Sequence, residues 1–242
     1  MSPATMPPNQ SLFSGNNGDS LPTSEAKDSM NKRKWIVIDD DEENLPKSDD
    51  EIEEEDIEID VKPIGIVVRV SGEGQFIKNH FTGFQADAIS YNLEDTVLVS
   101  PQGSSFNVKP SVVIIKDITA TQDGNVTVIG QTFYRPELAE KENGENWKTS
   151  EARELFYSFD KDEFPADAVM HKCVVHFVPP DKKIPSAKEH PGFIVRNVYN
   201  LTSKKLSGLL DTNYAASQRN EIDVLIKKTF DRIPNWKEWI RS

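Results

Sequence analysis

The chain has 242 residues, which is enough for one ordinary domain with tails or for two small domains. Its net charge of −12 is concentrated in residues 39–60, which hold 14 acidic residues and one lysine; the remainder carries 27 basic and 26 acidic residues, and we expect no direct, sequence-specific DNA binding from it. Cys173 is the single cysteine and no run approaches the roughly 18 apolar residues of a membrane span, so we expect no disulfide, no thiolate zinc cluster and no membrane partner.

The first 60 residues predict a disordered, acidic arm. Residues 1–30 are rich in Ser, Pro and Asn, lack the apolar core of a secretory signal, and bury too little apolar surface to offset chain entropy. Acidic residues then dominate, and such tracts are usually solvated and self-repelling. The arm contains one β-branched run followed by acids, which consists of Ile36, Val37, Ile38, Asp39, Asp40 and Asp41.

This β-branched run resembles a SUMO-interacting motif. A segment of that kind adds a strand to the open sheet edge of its partner, while its acids meet a basic rim. The resemblance implies SUMO as a partner of the arm. Two simpler interpretations stay open. The run could pair with the sheet of the chain itself, or its composition could be accidental.

Downstream of the arm, β-branched and aromatic runs separated by turn residues predict a series of short strands. The nearly continuous apolar run over residues 112–118 is typical of a strand that is buried on both faces. The Asp123-Gly124 pair indicates a two-residue hairpin between that strand and the next. The predicted strands cover residues 64–70, 96–100, 112–118, 126–134, 170–178 and 193–199.

One short helix is predicted inside this β-rich region. Thr149 or Ser150 is expected to cap it, because a hydroxyl there accepts hydrogen bonds from the first free backbone N–H groups. The helix is expected to run to about Phe156, and a loop containing Pro165 follows over residues 160–168.

A second, longer helix is predicted near the C-terminus, with Asp211 or Thr212 as its cap. Its apolar residues follow the i, i+3, i+4, i+7 and i+8 rule and are Ile222, Leu225, Ile226, Thr229 and Phe230. Trp236 and Trp239 come after it and suit either a partner anchor or packing beside the helix. The fold class that follows is mainly β: a small barrel or curled sheet with short helices and a C-terminal α-helix packed on it.

Catalytic and metal-binding patterns are not found in the sequence. His171 and His176 are five residues apart in one predicted strand, so their side chains point to opposite faces and do not share a metal. No Ser-His-Asp signature, Gly-rich phosphate loop or HExxH helix is recognisable. We therefore expect no enzyme, no metal and no cofactor.

The order of blocks between Tyr91 and Tyr199 resembles a known family. The blocks read YNLEDTVLVSP, VVIIKDI, TFYRPEL, ELFYSFDKDEFPADAVMHKCVVHF and PGFIVRNVY. They are similar to the bromo-adjacent homology (BAH) domain, a β-rich module of chromatin proteins. The resemblance implies a division into an N-terminal arm (1–60), a β extension (61–87), a BAH domain (88–206) and a C-terminal helix and tail (207–242).

Within this family, the chain resembles plant proteins in which a BAH domain is the only named module. The resemblance implies a nuclear, non-enzymatic protein that reads trimethylated lysine on the histone H3 tail and represses genes together with plant-homeodomain-finger proteins. Such a reader surrounds the trimethylammonium with three aromatic faces, because this group has no N–H to donate and is attracted by π-systems.

The chain keeps only part of that aromatic cage. By the resemblance, Tyr134 matches the cage tyrosine and Asp162 matches a peptide-holding aspartate. Thr132 stands where the cage tryptophan is expected, Ser111 where the first aromatic is expected, and Asp160 where a histidine is expected. Losing two of three aromatic walls removes about 1–4 kcal/mol, or on the order of one to three decades of affinity.

Two functions of different classes remain from the sequence. In the first, the protein has lost methyl-lysine reading and acts in chromatin through protein interactions. In the second, it reads a histone H3 tail through a remodelled pocket that keeps Tyr134 and Asp162. Whether another aromatic, such as Phe106 or Tyr157, completes that pocket is left open by the sequence. The two replacements at Thr132 and Ser111 favour the first.

Overall fold

The computed structural model describes residues 60–101, 108–149 and 151–233. The predicted disordered arm, its SUMO-type segment, Phe106, Trp236 and Trp239 lie outside these residues. The described part is mainly β, with one α-helix at its C-terminal end.

Eleven strands form one sheet within the described ranges. They are β1 (Val61–Ser71), β2 (Lys78–Ala86), β3 (Ile89–Asn92), β4 (Thr96–Val99), β5 (Ser111–Thr121), β6 (Val126–Tyr134), β7 (Glu154–Pro165), β8 (Val169–Lys172), β9 (Val175–Phe177), β10 (Phe193–Asn200) and β11 (Lys205–Gly208). The helix is α1 (Ala216–Arg232), and short 3₁₀ turns lie at Gly74–Phe76, Pro136–Leu138 and Ala166–Ala168.

The sheet has the order β1-β2-β5-β6-β7-β10-β11, with β3, β4, β8 and β9 paired beside this path. β10 runs parallel to β7 and β9, and the other pairs are antiparallel. The predicted β-rich class is confirmed. The predicted barrel needs correction to an open sheet, because β1 and β11 stand at opposite ends of the path and do not pair in the described residues.

The β5–β6 hairpin turns at the predicted Asp123-Gly124 pair, but residues 122–125 separate the two strands, so the predicted two-residue loop is corrected to four residues. Gly124 adopts a φ of +85°, which glycine reaches without steric cost. Further along β6, Gly130 lies so close to β5 that an added Cβ would stand 2.0 Å from the Val113 Cγ1 atom. β5 alternates between two core clusters on the two faces of the sheet, as its continuous apolar run predicts.

The predicted short helix before Phe156 is wrong, and so is the loop over residues 160–168. Thr149 Oγ1 accepts the Glu151 N–H at 3.1 Å, but this contact closes only a turn. Residues 154–165 form β7, which pairs with β6 on one edge and with β10 on the other. A strand buried on both faces has no alternation in its sequence, so periodicity does not distinguish it from a short helix.

Two further predictions are corrected. The strand predicted over residues 170–178 is divided into β8 and β9, because β8 pairs with β4 while β9 pairs with β10. The cap predicted at Asp211 or Thr212 lies too early. α1 begins at Ala216, and the Ala215 N–H donates to Gln218 Oε1 at 3.1 Å.

The predicted C-terminal helix is confirmed, and it packs on the sheet through its apolar face. Ile222 and Thr229 are fully buried, and Leu225 and Ile226 are nearly so. Lys116, whose side chain is 11% exposed, forms ion pairs with Glu94 and with Glu221 of α1 at 2.8 and 2.5 Å. In the described ranges we find no helix whose length and apolar character would let it cross a bilayer.

Candidate functional site

The predicted pocket residues lie where β6 meets an irregular part of β7. Gln131 pairs with Lys161 and Phe133 pairs with Tyr157, so three residues of β7 stand opposite Thr132 alone. This bulge bends β7 and re-aims its side chains. Gly130 pairs with Asp162, and alternate residues of a strand share a face, so Asp162, Thr132 and Tyr134 lie on one face of the sheet.

Tyr134 is packed against another aromatic ring rather than standing free. Its ring lies 5.3 Å from the ring of Tyr199, centroid to centroid, at an interplanar angle of 62°. Tyr134 pairs with Phe156 across the strands, and both rings belong to a small cluster that also includes Trp147. Burial, followed by the negative charges of Asp162 and Asp160, raises the pKa of Tyr134 to about 12.

Asp162 is already engaged by a neighbouring side chain. The Thr132 hydroxyl donates to Asp162 Oδ2 at 2.7 Å. Thr132 therefore places a short polar group at this position and occupies one oxygen of the Asp162 carboxylate.

Asp160 and Ser111 complete the set of predicted positions. Ser158 Oγ donates to Asp160 Oδ2 at 2.6 Å and accepts the Asp160 N–H at 3.1 Å. Ser111 is exposed at the start of β5; since Val112 pairs with Phe133, the register places Ser111 opposite Tyr134. The structure thus brings all five predicted positions to one region of the sheet.

Phe133 and Tyr157 lie on the other face. The centroids of their rings are 5.5 Å apart, and both rings also pack on Phe177. Tyr157 is 0% exposed inside the cluster that α1 covers. Tyr157, which the sequence left open as an additional aromatic wall, packs into the core on the face opposite Tyr134.

A cleft of about 330 Å³ lies next to this region, and sequence reasoning missed it. It lies between the β7 bulge, the hairpin formed by β10 and β11, and the residues that lead into α1. Its lining includes Phe159, Asp160, Tyr199, Ser207, Tyr214 and Gln218. The sequence does not indicate that these residues lie together, because β7 and β10 are far apart in the chain and meet only by parallel pairing.

A second cavity, of about 580 Å³, lies beside Trp147. Lys141 Nζ stands 5.1 Å from the centroid of the Trp147 ring, so this aromatic face already has a cation of the chain against it. Tyr134 lines neither the cleft nor this cavity.

The two histidines expected on opposite faces of one strand occupy two different strands. His171 lies on β8 and is exposed, while His176 is buried on β9 and its Nε2–H donates to Pro191 O at 3.1 Å. Burial lowers the pKa of His176. In the part of the chain that the structure describes, no group of three or more His, Cys, Asp or Glu residues is placed to hold a metal ion.

One polar network outside the predicted site was missed as well. Ser71 Oγ lies 2.7 Å from His80 Nε2, and His80 Nδ1 lies 2.9 Å from the carboxylate of Asp117. Arg69 also donates to Asp117, at 2.9 Å. Three widely separated sequence positions thus reproduce the contact order of a Ser-His-Asp triad. Here they join β1, β2 and β5, and because His80 is buried between paired strands we assign the network to holding β1 on the sheet.

The family model described as "BAH domain" matches residues 89–209, which is half of the chain. The chain belongs to the BAH domain family. This family is a module of chromatin proteins, and membership supports a chromatin-binding role.

The chain is also similar to a solved structure, the crystal structure of the yeast Rsc2 BAH domain. The sequence identity is 22%, and the TM-score is 0.41. The match covers 53% of this chain, and it spans about half (54%) of the length of the Rsc2 chain.

Proposed function

We propose that this protein is a non-enzymatic, nuclear chromatin protein that contributes to transcriptional repression through protein interactions, with methyl-lysine reading weak or lost. One observation carries the proposal. The position expected to hold a cage tryptophan is Thr132, and its hydroxyl is hydrogen-bonded to Asp162. The only cage ring left by the family match, Tyr134, packs edge-on against Tyr199.

The energetics support this reading of the pocket. A trimethylammonium gains affinity from several π-faces that surround it and exclude water, and each is worth about 0.5–2 kcal/mol. Thr132 and Ser111 have no π-face, and Tyr134 is partly covered by its own neighbours. A difference of about 1–4 kcal/mol separates such a site from a complete cage, which corresponds to one to three decades in Kd.

A second candidate is a histone H3 reader with a remodelled pocket. The closeness of Tyr199 and Trp147 to Tyr134 favours it, because these rings are aromatic walls that the family pattern does not include. It requires Tyr199 to become accessible, although this residue is 2% exposed. The first candidate needs no such rearrangement.

The partners that we propose are histones or nucleosomes and chromatin-regulator proteins such as plant-homeodomain-finger proteins. SUMO is proposed as a partner of the arm, through the residues 36–41. Charge reversal of Asp39, Asp40 and Asp41 together is expected to weaken SUMO binding, since these acids would meet the basic rim of the partner. Unchanged SUMO affinity in a pull-down titration of this variant would remove SUMO from the proposal.

The proposed function is tested by calorimetric titration of the full-length protein with histone H3 tail peptides, unmodified and trimethylated. We expect no methylation-dependent binding. Tyr134→Ala serves as the matched variant, because an active cage would lose affinity in it. Binding with a Kd near micromolar that depends on both methylation and Tyr134 would overturn the proposal in favour of the reader.

A further inference from the structure

The cleft beside the predicted pocket has the composition of a site for a cation. Asp160 is the one charged residue among the described residues that line it. The other polar lining groups are neutral amides and hydroxyls, such as those of Ser207 and Gln218. A carboxylate together with neutral acceptors attracts a group that carries both positive charge and N–H donors.

The carboxylate at the cleft is held in place before any ligand arrives. Ser158 is fully buried, and its hydroxyl donates a hydrogen bond to Asp160 Oδ2. The same hydroxyl oxygen accepts the backbone N–H of Asp160. The hydrogen bond from Ser158 uses one acceptor site of Asp160 Oδ2. A carboxylate has about four acceptor sites, so further N–H groups can bind without loss of this support.

Aromatic rings form the remaining walls of the cleft. The Phe159 and Tyr214 rings meet at a centroid distance of 6.0 Å, and both residues line the cleft. The Arg219 guanidinium lies 5.7 Å from the Tyr214 centroid, so the Tyr214 ring already has one cation of the chain against it, as the Trp147 ring has. Arg219 is occupied there by hydrogen bonds to Leu209 O, at 3.2 Å, and to Asp211 O.

The two lysines of the β10–β11 hairpin are each paired with a glutamate, so their positive charges are compensated. Lys204 pairs with Glu140, and Lys205 pairs with Glu142 at 3.1 Å. Tyr199 both lines the cleft and packs on Tyr134, so the cleft adjoins the face that carries Thr132 and Asp162. A peptide lying along this face would therefore reach both places.

We infer that the cleft between the β7 bulge, the β10–β11 hairpin and the start of α1 binds an unmethylated lysine or arginine side chain of a basic peptide segment, with Asp160 as its charge partner and Phe159 and Tyr214 as its walls. The inference rests on the proposed function, because it takes the ligand to be a segment of a chromatin protein. It adds that the segment is basic. It differs from methyl-lysine reading in physical terms. An ammonium or guanidinium donates hydrogen bonds to Asp160, whereas a trimethylammonium has no hydrogen to donate.

The test is an NMR titration of the ¹⁵N-labelled, full-length protein with short Gly/Ser peptides. One peptide carries an arginine and a lysine, a second carries citrulline and norleucine in their place, and a third carries arginine with trimethyllysine. Residue-specific signals are needed, because the acidic residues 39–60 also attract cations. We expect the basic peptide to shift the amide signals of Phe159, Asp160 and Tyr214, and the neutral peptide to leave them unchanged.

Matched variants separate a built site from general charge attraction. Asp160→Asn is expected to raise Kd for the basic peptide by about tenfold, since it removes a charge-assisted hydrogen bond but keeps an oxygen for Ser158. Asp223→Asn makes the same charge change on an exposed part of α1 and is expected to leave Kd unchanged. Tyr214→Leu is expected to weaken binding, and Tyr214→Phe is expected to restore it, because the ring is the relevant group.

Equal shifts from the neutral peptide, unchanged Kd in Asp160→Asn, or shifts confined to residues 39–60 would each overturn the inference. The third peptide separates this failure from failure of the proposed function. A preference for trimethyllysine that Asp160→Asn leaves intact would contradict both. A trimethyllysine preference together with binding of the unmodified peptide that depends on Asp160 would contradict the proposed function and support the cleft.

Discussion

On the proposed function, adding two aromatic walls beside Tyr134 should give the protein methyl-lysine binding. The change is the double substitution Thr132→Trp with Ser111→Tyr. Thr132 and Tyr134 share a face of β6, and the register places Ser111 opposite Tyr134, so the new rings would stand on two sides of the existing one. The substitution also removes the Thr132–Asp162 hydrogen bond and frees the carboxylate for the ligand.

The expected magnitude follows from the number of walls. Two added π-faces at about 0.5–2 kcal/mol each give about 1–4 kcal/mol, or on the order of one to three decades of gain in affinity for a trimethyllysine peptide. The cost to the fold is small, because the lost hydrogen bond lies near the surface and is worth about 0.5–1.5 kcal/mol. Ser111 is exposed, so a larger side chain there meets solvent first.

Calorimetric titration with trimethylated and unmodified histone H3 tail peptides measures the gain. Gln122→Trp, at the exposed β5–β6 turn, is the control for nonspecific attraction to an added tryptophan. Circular dichroism checks that each variant keeps its sheet. A folded double variant whose affinity for the trimethylated peptide does not exceed that of the Gln122→Trp control would refute the reasoning, since the cage positions would then not converge on one pocket.

Three further predictions concern one buried and two partly buried groups. Thr229→Val should lower the free energy of unfolding, measured by urea titration, by about 1–3 kcal/mol. Thr229 Oγ1 accepts the Phe177 N–H at 2.8 Å, and valine leaves this donor unpaired. Thr229→Ser should recover most of the loss, and equal losses in the two variants would contradict this role of the hydroxyl. Burial raises the pKa of Tyr134 in the folded protein to about 12, above its ordinary value of 10. The unfolded chain therefore releases this proton at lower pH, and the free energy of unfolding should fall between about pH 10 and 12. Tyr134→Phe should make this fall with pH shallower, and an unchanged pH dependence would contradict the raised pKa. Burial raises the pKa of Cys173 to about 12, so a thiol reagent at pH 8 should react much more slowly with the folded protein than with the protein in urea, and equal rates would contradict its burial.

Local patterns in the sequence predicted several parts of this fold correctly. The Asp123-Gly124 turn and the apolar run before it predicted the β5–β6 hairpin, because both signals act between neighbouring residues. Phe133 and Tyr134 lie on opposite faces of β6, as the alternation of neighbouring side chains along a strand requires. The i, i+3, i+4 spacing predicted α1 and its buried face.

Other parts depend on contacts between distant segments and did not follow from the sequence. β7 pairs with β6 and β10 at once, and this tertiary context prevails over the helix-start signal at Thr149. Tyr199 reaches Tyr134 only because β10 lies parallel to β7, so no motif around either residue indicated their contact. The association of His80 with Ser71 and Asp117 likewise requires three strands to be assembled first.

We propose above all that this BAH family protein associates with chromatin without depending on methyl-lysine. Fluorescence anisotropy of the full-length protein with labelled mononucleosomes, carrying either unmodified or trimethylated histone H3, tests it most directly. We predict that the protein binds both nucleosomes with Kd values that agree within about threefold, a difference below 1 kcal/mol. Binding to neither nucleosome, or a preference of tenfold or more for the trimethylated one, would contradict the account.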